Sequence, residues 1–314
     1  MEKKSSIKKD ELWFSKNEQM KLFQLPPKDA KEQILKLIQH NFGLFIEAQV
    51  KVFDLPVEMI KEILLAYKYD LCRDAQLKIF GLPTEVAAEI LLAKVDGWNL
   101  CDEAQAKIFD LPREYAIDIF LKFIQTHHLC EDVELKLFDL PIGAEILPKY
   151  AEHHEFYSSS ELKIFDLPVE VARTILLPNI KEFSLCRKAE AKLFETPATY
   201  KDIMLEYVER HVLFIDTEFK IIDLPAEIVG EILSMYTRGR SLCEKAEVKL
   251  FNLPQEVLRK FLLDYVNNHY LGSELECKIL DLPKDLAKEI WDAYTEKPHA
   301  CSKAVEKARK LSFM

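Results

Sequence analysis

No stretch of this sequence stays apolar for long enough to cross a membrane, and glycine occurs only 7 times in 314 residues. The first shortage excludes a spanning helix, which needs about 20 consecutive apolar residues. The second, with no segment alternating at period two for long, argues for a mostly helical chain. The N-terminal MEKKSSIKKDEL has lysines with no apolar run behind them, so no secretory signal is expected. There is no phosphate-binding glycine loop, no GxGxxG, no GxSxG and no HExxH. Basic excess is also missing: the net charge is −10 and the pI near 5.4. Nucleic-acid binders usually carry a basic face, so the total argues against one without excluding a local basic stripe.

What is present is repetition. The phrase Lys, any residue, an apolar residue (usually Phe), any residue, Leu-Pro recurs with prolines at Pro26, Pro56, Pro83, Pro112, Pro141, Pro168, Pro197, Pro225, Pro254 and Pro283. The spacing is 27–30 residues, a period that marks a stacked repeat architecture. Taking each proline as position zero, lysine stands at −5 and Gln or Glu at −7 throughout; leucine stands at −1 except at Thr196.

The segment before each proline reads as a short helix A. In CDEAQAKIFDL (101–111), Ala104, Ile108 and Leu111 share one face. Ser158-x-x-Glu161, Ser273-x-x-Glu276 and Asp102-x-x-Gln105 have capping-box spacing. Acids precede the repeated lysine by four residues, as in Glu47–Lys51, Asp74–Lys78, Glu103–Lys107, Asp132–Lys136, Asp216–Lys220 and Glu274–Lys278, an orientation that supports a helix. The segment after the proline reads as a longer helix B, with the proline in its first turn, an acid at −2 suited to a helix start, and apolar residues at +3, +7, +8 and +11. Neither helix buries its apolar face alone, so hairpins must stack. The expected fold is all-α: a right-handed α-α superhelix, or solenoid, of about ten two-helix repeats. Residues 1–11 form a tail or cap, 12–297 the array and 298–314 a C-terminal capping helix. Pro148 and Pro178 inside helix B are expected to kink it and to change the curvature over 141–184.

Cys72, Cys101, Cys130, Cys186 and Cys243 share one column at −11. Stacked helices lie 8–10 Å apart, too far for disulfides, which need Cα atoms within about 7 Å. They read as small apolar plugs at the B-to-A turn, and free thiols suit a reducing, cytoplasmic location; delivery into a host cell fits equally well. His127, His128 and Cys130 lack the convergent partners a zinc site needs, so no metal or other cofactor is expected. A catalytic site is normally unique, whereas these carboxylates recur in columns, so an enzyme is not expected and no small-molecule substrate is evident.

The repeated lysines read as structural, with a phosphate-binding ladder as the alternative. Position +6 on helix B carries Glu62, Glu89, Asp118, Glu231 and Glu289, with Lys260 breaking the series. These are the candidate partner-binding residues: if helix B lines a concave side, they form an acidic track attractive to a basic partner segment.

The architecture resembles HEAT-like and tetratricopeptide-like helical-hairpin stacks over about residues 12–314. The unit is shorter than in those classes and lacks the W-x-x-L-G-x-x-Y pattern. Short repeats of the phycobilisome-lyase type are nearer in length. Mitochondrial transcription terminators look similar in outline and imply nucleic-acid binding through a basic groove. The expected function is a non-enzymatic protein–protein interaction scaffold that holds a protein or peptide along helix B; the alternative is a nucleic-acid-binding solenoid that uses the lysine columns.

Overall fold

The computed structural model describes residues 15–295 and 301–311. The expected N-terminal tail, residues 1–11, lies outside the described residues. Contacts divide the chain into two compact units, 1–154 and 155–314.

The first unit contains α1 (Lys16–Leu22), α2 (Pro27–Gln39), α3 (Ile46–Lys51), α4 (Val57–Ala66), α5 (Arg73–Ile79), α6 (Thr84–Lys94), α7 (Asp102–Lys107), α8 (Arg113–Phe123), α9 (Glu131–Phe138) and α10 (Gly143–Ala151). The second contains α11 (Ser158–Ile164), α12 (Val169–Glu182), α13 (Arg187–Leu193), α14 (Pro197–Arg210), α15 (Ile215–Ile222), α16 (Ala226–Tyr236), α17 (Glu244–Lys249), α18 (Gln255–Asn268), α19 (Ser273–Ile279), α20 (Lys284–Thr295) and α21 (Ser302–Lys310). The described residues contain no strand. Within each unit every helix packs on the helix two places along, which makes one row of short odd-numbered A helices and one row of even-numbered B helices. The arrangement is compatible with a helical repeat solenoid. The last A helix, α21, packs on α19. It occupies part of the region expected to cap the array.

Small residues set the spacing of the A row. Ala48, Ala75, Ala104, Ala189 and Ala246, all at −8, are fully buried, as are the branched residues Val52, Ile79, Ile108, Leu193 and Leu250 at −4. On helix B the buried stripe includes +4, +7, +8 and +11, as in Ile60, Ile63, Leu64 and Tyr67. The +3 residue is half-buried at Met59 and Val257 and buried at Ile228 and Leu286, so the buried stripe is the expected one widened by +4.

The repeated proline lies just before helix B rather than in its first turn. Pro56, Pro83, Pro112, Pro168, Pro225 and Pro254 all have φ near −50° and ψ near 140°. The preceding leucine is extended, as at Leu55 and Leu111, because a proline ring disfavours helical geometry in the residue before it. Leu-Pro therefore ends helix A and turns the chain. The proline carbonyl then accepts the first bond of helix B, as in Ile60 N–H to Pro56 at 3.1 Å and Ala116 N–H to Pro112 at 3.0 Å.

Helices α10 and α12 run through Pro148 and Pro178, and a non-helical residue, Tyr200 at φ −121° and ψ 26°, interrupts α14. There Thr196 replaces the usual leucine, and Pro197 itself becomes the first helical residue.

Gly143 is required by packing: a Cβ placed on it would lie 1.9 Å from the Leu137 carbonyl oxygen, whereas one on Gly239 would meet nothing within 4 Å. Gly143→Ala is expected to cost about 2–3 kcal/mol by overpacking against backbone, and Gly239→Ala to stay within about 0.5 kcal/mol of wild type. Urea midpoints of the two variants check this.

Candidate functional site

Every Gln or Glu at −7 is buried, none more than 7% exposed. Within each unit these heads reach forward to the residue that precedes the next A helix and accept its backbone N–H. In the first unit Cys72 donates to Gln49 at 2.6 Å, Cys101 to Gln76 at 2.7 Å and Cys130 to Gln105 at 2.8 Å. In the second, Cys186 donates to Glu161 at 2.7 Å, Phe214 to Glu190 at 2.9 Å, Cys243 to Glu218 at 3.0 Å, Gly272 to Glu247 at 3.1 Å and Cys301 to Glu276 at 2.7 Å. This corrects the three expected capping boxes. The residues before α7, α11 and α19 are Cys101, Tyr157 and Gly272, none with a side-chain cap. Gln105, Glu161 and Glu276 cap the following repeat instead. A true capping box joins Ser15 and Glu18 in α1.

Gln and Glu differ in what else they need. A carboxamide brings its own donors: Gln76 Nε2 donates to the carbonyls of Leu71 and Asn99, both at 2.9 Å. A buried carboxylate only accepts and recruits a hydroxyl. Tyr207 donates to Glu190 at 2.9 Å, Tyr236 to Glu218 at 2.7 Å, Tyr265 to Glu247 at 2.9 Å and Tyr294 to Glu276 at 2.7 Å. Burial raises the carboxyl pKa of Glu161, Glu190 and Glu247 above 4.5, against the opposing hydrogen bonds. Burial, reinforced by the adjacent carboxylate, also holds Tyr207, Tyr236, Tyr265 and Tyr294 in their donor form.

The lysines at −5 reach backward in the second unit. Lys192 donates to Leu162 O at 3.4 Å and to Asp166, Lys220 to Ala191 O at 3.5 Å and to Glu195, and Lys249 to Phe219 O at 2.9 Å and to Asp223. Lys307 in α21 repeats the contact, to Cys277 O at 2.8 Å and to Asp281. In the first unit Lys51 pairs with Asp54 of its own repeat, and Lys136 lies 4.4 Å over the Phe109 ring. The −2 acids thus pair with lysines rather than cap helix B.

Two further ladders join consecutive repeats. On the A row Lys16 pairs with Glu47, Arg73 with Glu103 and Arg187 with Asp216. These acids were expected to pair within their own helix. The bases of the preceding repeat take them because they approach head-on across the helix row.

On the B row the +6 candidates meet +5 bases: Lys31–Glu62 at 2.7 Å, Lys61–Glu89 at 2.6 Å and Arg259–Glu289 at 2.7 Å. Glu231 pairs with Lys201 at 2.5 Å, and Arg173 pairs with Asp202 in the same way. The expected acidic track is therefore mostly neutralised by bases that vary along with it. Asp118 has no ion-pair partner among the described residues; Ala88 stands where its base would be, and is buried. Lys260 lies in a cleft between α16 and α18.

The histidines serve carbonyls at the ends of B helices. His154 contacts Ile124 O at 2.5 Å, His211 contacts Ile180 O at 2.5 Å and His269 contacts Thr237 O at 2.6 Å. Each packs on the tyrosine four residues before it, Tyr150, Tyr207 and Tyr265. Arg240 does the same for Val208 O at 2.6 Å, beside Tyr236. These contacts occupy carbonyls that a helix end leaves without partners. Burial, the largest influence, lowers the pKa of His154. Among the described residues no group of three or more His, Cys, Asp or Glu is placed to hold a metal. The cysteines are free and half-buried, and burial raises the pKa of Cys101, Cys130, Cys186, Cys243 and Cys301, which keeps these thiols protonated. No described helix is long and apolar enough to cross a membrane. Comparison with family models, with curated proteins and with solved structures finds no match.

Because burial raises the Glu247 carboxyl pKa, its contribution to stability is fully present below pH 4.5, the ordinary value, and is lost as pH rises through the folded-state value. Glu247→Gln is therefore expected to gain stability relative to wild type between pH 4.5 and 7. Glu247→Ala, which strands the Gly272 N–H and the Tyr265 hydroxyl, should lose about 2–3 kcal/mol. Urea unfolding at both pH values tests the pair; a Gln variant whose difference from wild type does not change with pH contradicts the assignment.

Proposed function

We propose that the protein is a non-enzymatic interaction scaffold whose B-helix row receives a protein or peptide partner. The reading carries with it the right-handed superhelical stacking of ten hairpins expected from the sequence. One observation supports it above the others: the −7 column, polar in every repeat, is buried in the stack, whereas the charged positions of the B row vary from repeat to repeat and lie at the surface. The −7 heads are consumed by the next A helix, and Lys192, Lys220 and Lys249 of the −5 column by carbonyls and acids of the preceding repeat. The charged residues at +5 and +6, by contrast, lie on exposed or half-buried helix surface and change from repeat to repeat, with buried apolar residues in their place at Ala88, Ile117, Ile146, Leu147 and Ile203. Uniform chemistry in a stack serves the stack, while partner recognition requires local difference. The lysine columns that a nucleic-acid reading would use are, in the second unit, largely committed to these internal partners.

An affinity pull-down from lysate with nuclease treatment, followed by mass spectrometry, tests the reading. A specific protein retained after nuclease, and lost on reversal of the outward +6 residues, is the expected result. Loss of every partner after nuclease, with binding that weakens steeply as salt rises, would replace it with nucleic-acid recognition.

A further inference from the structure

The B-row ladder follows one rule: a base at +5 in one repeat faces an acid at +6 in the next. Between α16 and α18 both members are changed. Gly230 occupies +5 and Lys260 occupies +6. The result is a cleft of about 500 Å3, floored by Gly230, Ser234 and Met235 of α16 and by Val257 and Phe261 of α18. Four charged residues line it: the cations Lys260 and Arg238, and the acids Glu227 and Glu231, of which Glu231 is paired with Lys201. Both cations are exposed, and neither has an ion-pair partner among the described residues.

The glycine has no structural need to be there. Its φ is not positive, and a Cβ built on it would lie 3.5 Å from Val257 Cγ1, an ordinary van der Waals contact. Glycine inside a helix is unfavourable relative to alanine. Gly143, the other glycine within a described helix, is forced by the Leu137 carbonyl; Gly230 is not. What Gly230 does is leave the cleft open beneath a lysine that has replaced an acid. Glu231 is held by Lys201, and Glu227 stands at the N-terminal end of α16 whereas Arg238 lies past its C-terminal end, so the part of the cleft between Lys260 and Arg238 is complementary to a carboxylate carried beside an apolar side chain.

We infer that the cleft between α16 and α18 is a docking site for a partner protein segment that presents an acidic residue next to an apolar one. The carboxylate sits between Lys260 and Arg238, and the apolar group sits over Gly230 against Met235 and Val257. The inference rests on the scaffold reading and gives that partner its local chemistry.

The test uses the full chain, labelled with 15N, and a capped pentapeptide, Ala-Leu-Glu-Leu-Ala, titrated while amide shifts are followed by NMR. The expected result is saturable shifts centred on Gly230, Ser234 and Lys260, with Kd on the order of a millimolar or tighter. Binding should weaken at least tenfold when the peptide's glutamate is replaced by glutamine, and at least tenfold with Lys260→Glu. The double variant Gly230→Arg with Lys260→Glu rebuilds the Arg259–Glu289 arrangement one step earlier; it should melt no lower than wild type and lose the shifts. Absence of shifts at the cleft at millimolar peptide, equal binding of the glutamine peptide, or retained binding by the well-folded double variant would overturn the assignment. Any of these leaves the scaffold reading standing if the pull-down retains a nuclease-resistant protein, so the two failures are distinct.

Discussion

Within each unit, one buried side chain per repeat, the Gln or Glu at −7, makes the next A helix depend on its predecessor. The A helices are six to nine residues long, well short of the roughly 12–15 residues at which an isolated helix becomes even marginal in water. The residues before α3 and the later A helices, chiefly Cys with Phe, Tyr and Gly, provide no side-chain cap. The cap comes from the −7 head of the preceding repeat, held in place by full burial. An unmade bond there would strand a buried N–H, so the register between neighbours is fixed by a penalty as well as by apolar contact.

Around that bond the polar surface is organised by direction. On both helix rows a base in one repeat meets an acid in the next, as in Arg73–Glu103 and Lys61–Glu89. At the end of helix A the sense reverses, and the lysine of the later repeat reaches back to the acid of the earlier one, as in Lys192–Asp166. These pairs are largely exposed, and each contributes only about 0–1 kcal/mol. Their larger effect is on alignment, because hairpins slipped by one residue would set like charges against each other. A column of lysines that resembles a phosphate-binding ladder is, in the second unit, better explained as the reverse half of this pattern.

The change from Gln to Glu at −7 after residue 105 shows the same economy. Gln76 and Gln105 supply their own N–H donors to nearby carbonyls. Glu190, Glu218, Glu247 and Glu276 have none, and a tyrosine about 18 residues later donates to each. Gln49 beside Tyr67 shows that the hydroxyl also serves as an acceptor. The tyrosine therefore tolerates either partner, whereas the buried carboxylate needs its donor.

The sequence alone determined the all-helical class, the hairpin period, the Leu-Pro boundary and most of the buried stripe, because these follow from local backbone sterics and from apolar spacing within about one turn. It also showed which columns are uniform and which vary. It did not reveal where the polar heads go. Glu161 has the spacing to cap its own helix yet caps the next; Glu103 has the spacing to pair with Lys107 yet pairs with Arg73. In both cases the deciding partner lies 25–30 residues away, and only stacking brings it within reach. The significance of Gly230 was equally hidden, since a helix glycine is read as a weakness until the structure shows that its Cβ would fit and that Lys260 faces the space it leaves. Short-range spacing is written in the chain; the pairing of side chains across stacked helices is decided by packing distance, and packing exists only in the folded molecule.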